Sequence, residues 1–322
     1  MDNQSGALPD ARPSRSRVVV LGLLQLACVG LVARLLWNDR HELASMPSIA
    51  ARDFVLLFGL NLLGHLQRTL EFTYMLRRLG VREPFGEGFL LTGAGYLLNH
   101  LPLNAGFVMR AVVLRRDHAL PYSSYVSLTM VNAVLNLGVG ALVSAIVIGA
   151  SGSGSSSRSA LLAGLLALTL VCALTLYLPA LSLPGRAVWL RRQFLNLAEG
   201  VRVIRGSGGA LLLLSFLALA KVFTLALRFA ICFHVLGRPI PVRAAILVAV
   251  AHNLLAIVNF TPGNLGLREL VISVLAGELG SSQPIGLAAA SVERVVSLLY
   301  IVLTGLPGIH SLRNRGRAAL PG

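Results

Sequence analysis

Residues 259–269 read Asn-Phe-Thr-Pro-Gly-Asn-Leu-Gly-Leu-Arg-Glu and interrupt an apolar region that runs through residues 244–258 and resumes at 270–276. Proline and glycine break helices, so the backbone of this stretch lacks a regular hydrogen-bond ladder. Such backbone cannot face hydrocarbon, because its free N–H and C=O groups would have no partner there. We therefore expect this stretch to be buried in protein or to line a wet cavity.

A similar stretch lies 160 residues earlier. Both fit the pattern Asn-x-x-Pro-x-Asn-x-Gly, and an arginine follows each copy, at Arg110 and Arg268. The matching residues are Asn99, Pro102, Asn104 and Gly106 in the first copy, and Asn259, Pro262, Asn264 and Gly266 in the second. Two broken apolar segments at corresponding positions of two halves are typical of transporters with internal repeats, whose substrate site lies where the halves meet.

The composition identifies an integral membrane protein. Of 322 residues, 55% are hydrophobic and only 13% are charged, and the mean hydropathy is +0.75, whereas soluble domains carry about 25% charged residues. The net charge of +15 is typical of nucleic-acid-binding proteins too. Here the arginines are dispersed between apolar spans, which membrane topology explains better, so we expect no nucleic-acid partner.

Taking about 20 apolar residues as one crossing, we predict an all-α membrane protein with six spans and two re-entrant broken-helix hairpins. The spans are residues 18–37, 54–76, 125–148, 161–181, 211–236 and 285–309, and the hairpins are 89–114 and 244–279. The predicted organisation is a cytoplasmic tail (1–17), a first membrane half (18–183), an amphipathic cytoplasmic linker helix (184–208), a second membrane half (209–310) and a cytoplasmic tail (311–322).

The arginines indicate the topology. If both hairpins return to their own side and the N-terminus is cytoplasmic, the inner segments hold sixteen arginines and the outer ones five. This agrees with the positive-inside rule. The first hairpin then enters from the cytoplasm and the second from the opposite face, so the two copies form an inverted repeat.

The span at 54–76 carries polar residues at helical spacing, namely Asn61, His65, Arg68 and Glu71. An ionisable residue at the centre of a spanning helix costs at least about 2.5–3.5 kcal/mol, so each needs a partner or a role. Arg68 and Glu71 share a helix face, and we expect them to pair. This face fits either a structural ion pair between helices or the lining of a lipid pathway. We expect no metal at His65, which has no second ligand at metal spacing.

Two later spans also carry charges. Lys221 and Arg228 share a face, and their candidate anionic partners are Glu71, Glu293 and a lipid phosphate. Glu293 and Arg294 are adjacent and cannot face the same way, so we expect them to pair with different helices.

The span at 125–148 contains Asn132 and Asn136 on one face. Asparagine side chains in membrane spans commonly hydrogen-bond to neighbouring helices. We expect that role here.

The breaks contain candidate helix caps: Asn104 and Asn264, or Thr261 followed by Pro262. Free N–H groups at a helix start bind anions, and with Arg110 and Arg268 nearby we expect a phosphodiester ligand. Glu269 would meet a cationic head group or offset an arginine. Alternatively, proline and glycine only end the helices.

No catalytic or nucleotide-binding motif occurs in the chain, so we expect a protein that is not an enzyme and has no cofactor.

On these residues, the chain resembles the lysylphosphatidylglycerol synthase transmembrane region family, also described as a flippase-like domain family. The segment from Thr261 through Gly263 to Glu269 is close to that family's Thr-Pro-Gly-Gly-x-Gly-x-Arg-Glu, and Leu101-Pro102 with Gly106 and Arg110 resembles its first motif. Two departures are clear. Phe107 replaces a common acidic residue, and Asn132, Ala133 and Asn136 replace a Glu-Arg-x-x-Asp pattern.

The resemblance implies movement of a phospholipid or lipid-linked molecule between leaflets of the plasma membrane. We expect membrane lipids, anionic or lipid-linked, as partners, and a homo-oligomer is compatible with the sequence. We also expect no soluble aminoacyl-transferase domain. Two alternatives remain: a non-catalytic membrane subunit of a lipid-modifying system with a separate soluble transferase, and a structural helper in envelope assembly.

Overall fold

The computed structural model describes residues 49–100, 105–150, 156–177, 201–202, 208–258, 264 and 266–318. Within these ranges the regular structure is helical and contains no strand, which confirms the all-α prediction for this part of the chain. The helices are α1 (Ala51–Arg78), α2 (Phe85–Leu98), α3 (Ala105–His118), α4 (Tyr122–Ala150), α5 (Ser156–Tyr177), α6 (Gly208–Val235), α7 (Val242–Val258), α8 (Leu267–Glu278) and α9 (Gln283–Ala318).

The predicted spans correspond to these helices wherever the structure describes them. Residues 54–76 correspond to α1, 125–148 to α4, 211–236 to α6 and 285–309 to α9, and the span at 161–181 begins within α5. The span at 18–37, the tail at 1–17 and nearly all of the linker at 184–208 lie outside the described residues. In the tail predicted at 311–322, α9 continues to Ala318.

Among the described residues, three helices are long and apolar enough to cross a membrane: Tyr122–Ala150, Gly209–Val235 and Gln283–Arg315. Shorter apolar helices are Ala160–Leu176 and Val242–Ala256. α1 is also long enough, with 28 residues, but the charged residues Arg68 and Glu71 make it less apolar than the three long helices.

The molecule exposes apolar side chains and buries charged ones. On α6, Leu212 is 74% exposed and Phe216 is 65% exposed, whereas Arg228 on the same helix is 5% exposed. Glu293 on α9 is buried, although Val295, two residues later, is exposed. This distribution suits a protein whose surroundings are hydrocarbon and whose polar groups find partners inside, so the chain is a membrane protein.

Both broken regions form pairs of helices in contact, α2 with α3 and α7 with α8. The α2–α3 contact requires glycine at position 106, because a Cβ there would lie 1.8 Å from the Gly95 carbonyl oxygen. α2 also packs closely on α9, where a Cβ at Gly308 would lie 2.3 Å from the Leu90 carbonyl oxygen. Small residues allow such close backbone approach between membrane helices.

Helix contacts connect the chain in two similar series. In the first, α1 contacts α2, α2 contacts α3, and α3 contacts α4; in the second, α6 contacts α7, α7 contacts α8, and α8 contacts α9. Contacts of α1 with α6, α2 with α9, and α4 with α7 join the two series.

Candidate functional site

Two adjoining cavities lie inside the helical bundle. The first chamber has a volume of about 410 Å³, and its charged and amide lining includes Arg68, Glu71, Arg110, Asn132, Asn136 and Lys221. The second chamber has a volume of about 180 Å³, and its lining includes His65, Arg68, Arg228, Arg268, Glu293 and Arg294. Both are lined by Arg68, Tyr96, Asn99 and Ala256, so the chambers share a wall.

The chambers are stacked along the axis of α1. Glu71 and Met75, in the second half of α1, line the first chamber, whereas Asn61 and His65, nearer its start, line the second. Arg68 lies between them and lines both. At about 1.5 Å of rise per residue, the path from Asn61 to Met75 is about 21 Å long.

α6 runs antiparallel to α1 beside both chambers. Lys221 of α6 contacts Glu71, and Thr224, further along α6, accepts a hydrogen bond of 3.0 Å from Gln67, nearer the start of α1. Accordingly, Lys221 lines the first chamber and Arg228, two turns further along α6, lines the second.

Glu71 pairs with Lys221 rather than with Arg68. The Lys221 ammonium donates to both carboxylate oxygens, at 2.7 and 2.6 Å. The predicted pair of Arg68 and Glu71 is therefore wrong. The contact between α1 and α6 brings Lys221 onto both oxygens of Glu71.

Glu293 of α9 joins two arginines from different helices. Its two oxygens accept hydrogen bonds from Arg228 of α6 and Arg268 of α8, respectively. The adjacent Arg294 donates to Glu269 of α8, at 2.5 Å. Glu293 and Arg294 were predicted to pair with different helices; Glu293 reaches α6 and α8, but Arg294 also reaches α8, so the two share one partner helix. Lys221 and Arg228 each have one of their predicted partners, Glu71 and Glu293 respectively.

Glu269 has two structural contacts at the start of α8. Besides pairing with Arg294, its carboxylate accepts a 2.8 Å hydrogen bond from the backbone N–H of Gly266, which caps α8 with φ of +83°. The prediction that Asn264 caps this helix is wrong. Asn264 has a left-handed backbone, with φ of +52°, and its amide donates instead to the Leu255 carbonyl oxygen of α7 at 2.6 Å.

A hydrogen bond to an asparagine side chain also links the two helices of the first hairpin. The side-chain oxygen of Asn99, at the end of α2, accepts a 3.1 Å hydrogen bond from the backbone N–H of Phe107 in α3. Gly106 serves the close helix contact and does not line either chamber. The remaining predicted motif residues, Pro102, Asn104, Asn259, Thr261, Pro262 and Gly263, lie outside the described residues.

Arg68 and Arg110 are held by aromatic rings. The Arg68 guanidinium lies 5.1 Å from the centroid of the Tyr96 ring, and that of Arg110 lies 5.9 Å from the same centroid. Arg110 also donates to the Gly106 carbonyl oxygen, at 3.3 Å. In the part of the chain that the structure describes, no carboxylate oxygen lies within 4 Å of either guanidinium.

The Asn132 and Asn136 side chains hydrogen-bond to each other. The Asn136 amide donates to the Asn132 side-chain oxygen at 2.6 Å, and both residues line the first chamber. Hydrogen bonding between helices was predicted for this pair, but the observed bond lies within α4. The i to i+4 spacing explains the difference, because it brings the two amides together on one face.

The second chamber contains several buried polar atoms that make no hydrogen bond to the described residues. These atoms are Arg228 Nε, His252 Nδ1, Asn264 Oδ1, Arg268 Nε and the Tyr300 hydroxyl. Buried polar groups are normally paired, so this chamber is suited to water or a polar ligand.

His65 contacts the carbonyl oxygen of Phe89 through Nε2 at 3.1 Å and packs edge-on against that residue's ring. Among the described residues, no three or more His, Cys, Asp or Glu side chains form a group that could hold a metal ion.

Sequence reasoning missed several chamber residues, among them Thr92, Tyr96, His252 and Tyr300. His252 had a signal, since it is a polar residue inside the apolar segment that became α7. The two tyrosines and Thr92 gave no such signal, because residues of these types occur in packed cores as often as in cavity walls.

One family model matches the chain. Its description is "Lysylphosphatidylglycerol synthase TM region", and it matches residues 17–305. No curated protein and no solved structure shows significant similarity. Because the match spans most of the 322 residues, the chain belongs to the lysylphosphatidylglycerol synthase TM region family.

Proposed function

We propose that this protein moves a phospholipid or lipid-linked molecule between the two leaflets of the plasma membrane. The head group passes through the two chambers while the acyl chains remain in the bilayer. Membership of a family of membrane domains associated with lipid modification and flippase activity supports this proposal. In this proposal the protein acts as a transporter rather than as an enzyme.

The observation that carries the proposal is the stacking of two polar chambers about a shared Arg68. Their path of about 21 Å along α1 is roughly two thirds of the thickness of a bilayer core, which is about 30 Å. Ionisable side chains inside a membrane are costly, and those that line a cavity commonly mark the path of a substrate or ion. A head group that moved from one chamber to the other would cross most of the hydrocarbon region inside protein.

The helix contacts support an internal repeat. Exchanging α1 with α6, α2 with α7, α3 with α8, and α4 with α9 converts the first series of contacts into the second. The same exchange converts the α2–α9 contact into the α4–α7 contact. In the proposed topology, with both termini cytoplasmic, the two hairpins enter from opposite faces, and the first chamber lies towards the cytoplasm.

Positive charge is in excess around the two chambers. The cations are Arg68, Arg110, Lys221, Arg228, Arg268 and Arg294, whereas the nearby carboxylates are Glu71, Glu269 and Glu293. An anionic group, such as a lipid phosphate, would offset this excess. Arginine suits that role because its planar guanidinium binds two phosphate oxygens at once.

Reconstitution into vesicles tests the proposal. The rate at which fluorescent phosphatidylglycerol becomes accessible from the opposite leaflet would be measured with wild-type protein, with Arg68→Gln, and with Arg77→Gln as a matched control. Arg77 lies on the same helix, is exposed and lines neither chamber. Loss of a charge-assisted contact predicts about a tenfold slower rate for Arg68→Gln alone.

Equal rates for all three proteins and for empty vesicles would refute transport by this chain. Translocation that required a co-purified soluble transferase would instead identify the chain as the membrane subunit of a lipid-modifying system.

A further inference from the structure

The two chambers differ in how their cations are neutralised. In the second chamber, Glu293 neutralises Arg228 and Arg268, and Arg294 pairs with Glu269. In the first chamber, Glu71 neutralises Lys221. Within the described ranges, Arg110 has no carboxylate oxygen within 4 Å of its guanidinium, and neither does Arg68 at the wall between the chambers.

The contacts that hold Arg68 and Arg110 orient them without removing their charge. Both guanidinium groups lie within 6 Å of the Tyr96 ring centroid, at 5.1 and 5.9 Å, and Arg110 also lies 5.8 Å from the Phe72 centroid. Cation–π contacts leave the guanidinium N–H groups available for hydrogen bonds. Two such cations in one cavity therefore attract an anion.

The wall that α4 forms in the first chamber carries no charged side chain. α4 contributes Asn132 and Asn136 to the first chamber, whereas α9, its counterpart in the proposed repeat, contributes the charged residues Glu293 and Arg294 to the second. The hydroxyl of Thr92 adds a buried polar atom with no hydrogen bond to the described residues, on a residue that is 1% exposed. The chamber thus offers charged donors and amide and hydroxyl groups, while Glu71, the one carboxylate among its described lining residues, is paired with Lys221.

We infer that the first chamber is a binding site for a lipid head group of net negative charge, in which Arg68 and Arg110 bind the phosphate and the Asn132–Asn136 pair binds uncharged polar groups. This inference rests on the proposed function and names its substrate class. A phosphodiester with hydroxyl groups fits such a site. A head group with an added ammonium is disfavoured, because that cation would enter a cavity whose carboxylate is already paired.

Competition between two lipids tests the inference. Purified protein in detergent would be incubated with equal amounts of phosphatidylglycerol and phosphatidylethanolamine with identical acyl chains. Native mass spectrometry would then measure the ratio of the two bound lipids. A ratio is insensitive to the amount of folded protein, so a partly unstable variant still gives a usable result.

Two variants change the charge of the chamber in different ways. Arg110→Gln removes a cation, and Asn132→Asp adds an anion while keeping the oxygen that accepts the hydrogen bond from Asn136. The exposed Arg77→Gln is the control. We expect wild type and control to favour phosphatidylglycerol by about tenfold, as one charge-assisted contact predicts. Both chamber variants should reduce that preference severalfold.

A wild-type ratio near one, or an unchanged ratio in both chamber variants, would overturn the inference.

A second experiment compares the binding of soluble glycerophosphate with that of phosphatidylglycerol. If it binds as tightly as phosphatidylglycerol, the ligand is a free phosphate ester and the lipid assignment fails. Vesicles that transport both lipids equally would contradict only the charge selectivity, whereas selective binding without transport would contradict only the proposed function.

Discussion

Lys221 donates hydrogen bonds to both carboxylate oxygens of Glu71, at 2.7 and 2.6 Å, although 150 residues separate the two in the chain. The Lys221 side chain is 10% exposed and that of Glu71 is 3% exposed. The pair joins α1 to α6, and so connects the two predicted membrane halves at the wall of the first chamber.

Removing one partner of this pair should be more damaging than removing both. Glu71→Gln or Lys221→Met alone leaves a buried charge without its partner, and we expect each to lower the free energy of unfolding by about 3–5 kcal/mol. The double variant leaves no such charge and should recover most of that loss. Unfolding by SDS in mixed micelles would measure all four proteins, and losses that simply add in the double variant would contradict the pairing.

Gly106→Ala tests the contact between α2 and α3. The new Cβ would lie 1.8 Å from the Gly95 carbonyl oxygen, so the helices would have to separate. Overpacking of this kind costs about 1–3 kcal/mol. The matched control is Gly59→Ala in α1, where a Cβ meets no atom within 4 Å. The same SDS titration should show a loss for Gly106→Ala only; equal stability of the two variants would exclude a close contact at Gly106.

Glu83 and Glu87 both pair with Arg315, but they differ in burial. Glu83 has a side chain 2% exposed and also contacts His118, at 2.5 Å, whereas the Glu87 side chain is 44% exposed. Exposed ion pairs contribute about 0–1 kcal/mol, and an unpaired buried group costs about 1–3 kcal/mol. We therefore expect Glu83→Gln to lower the midpoint of thermal unfolding clearly and Glu87→Gln to change it little. The reverse order would show that this end of the bundle is packed differently.

The helices could be predicted from sequence because long apolar runs have few stable alternatives in a membrane. The run at 211–236 became α6 (Gly208–Val235) with boundaries close to those predicted. The two interruptions also separated helices as predicted, since proline and glycine act through local backbone geometry.

The pairing of charges could be predicted only in part. The sequence named Glu71 among the candidate partners of Lys221, but helix spacing also placed Arg68 on the same face as Glu71, and spacing could not decide between the two cations. Likewise, Asn264 is a good capping residue by type. Its left-handed backbone and its bond to Leu255 depend on how α7 and α8 meet, which local sequence does not determine.

The central claim is that the two chambers form one path reached from opposite sides of the membrane. In protein whose native cysteines have been replaced, Ala133→Cys would report on the first chamber and Ser297→Cys on the second, since both residues line only their own chamber. A charged, membrane-impermeant thiol reagent would be added to one side of sealed vesicles at a time. We expect Ala133→Cys to react from the cytoplasmic side and Ser297→Cys from the outer side. Reaction of both from the same side, or of neither from any side, would contradict the account.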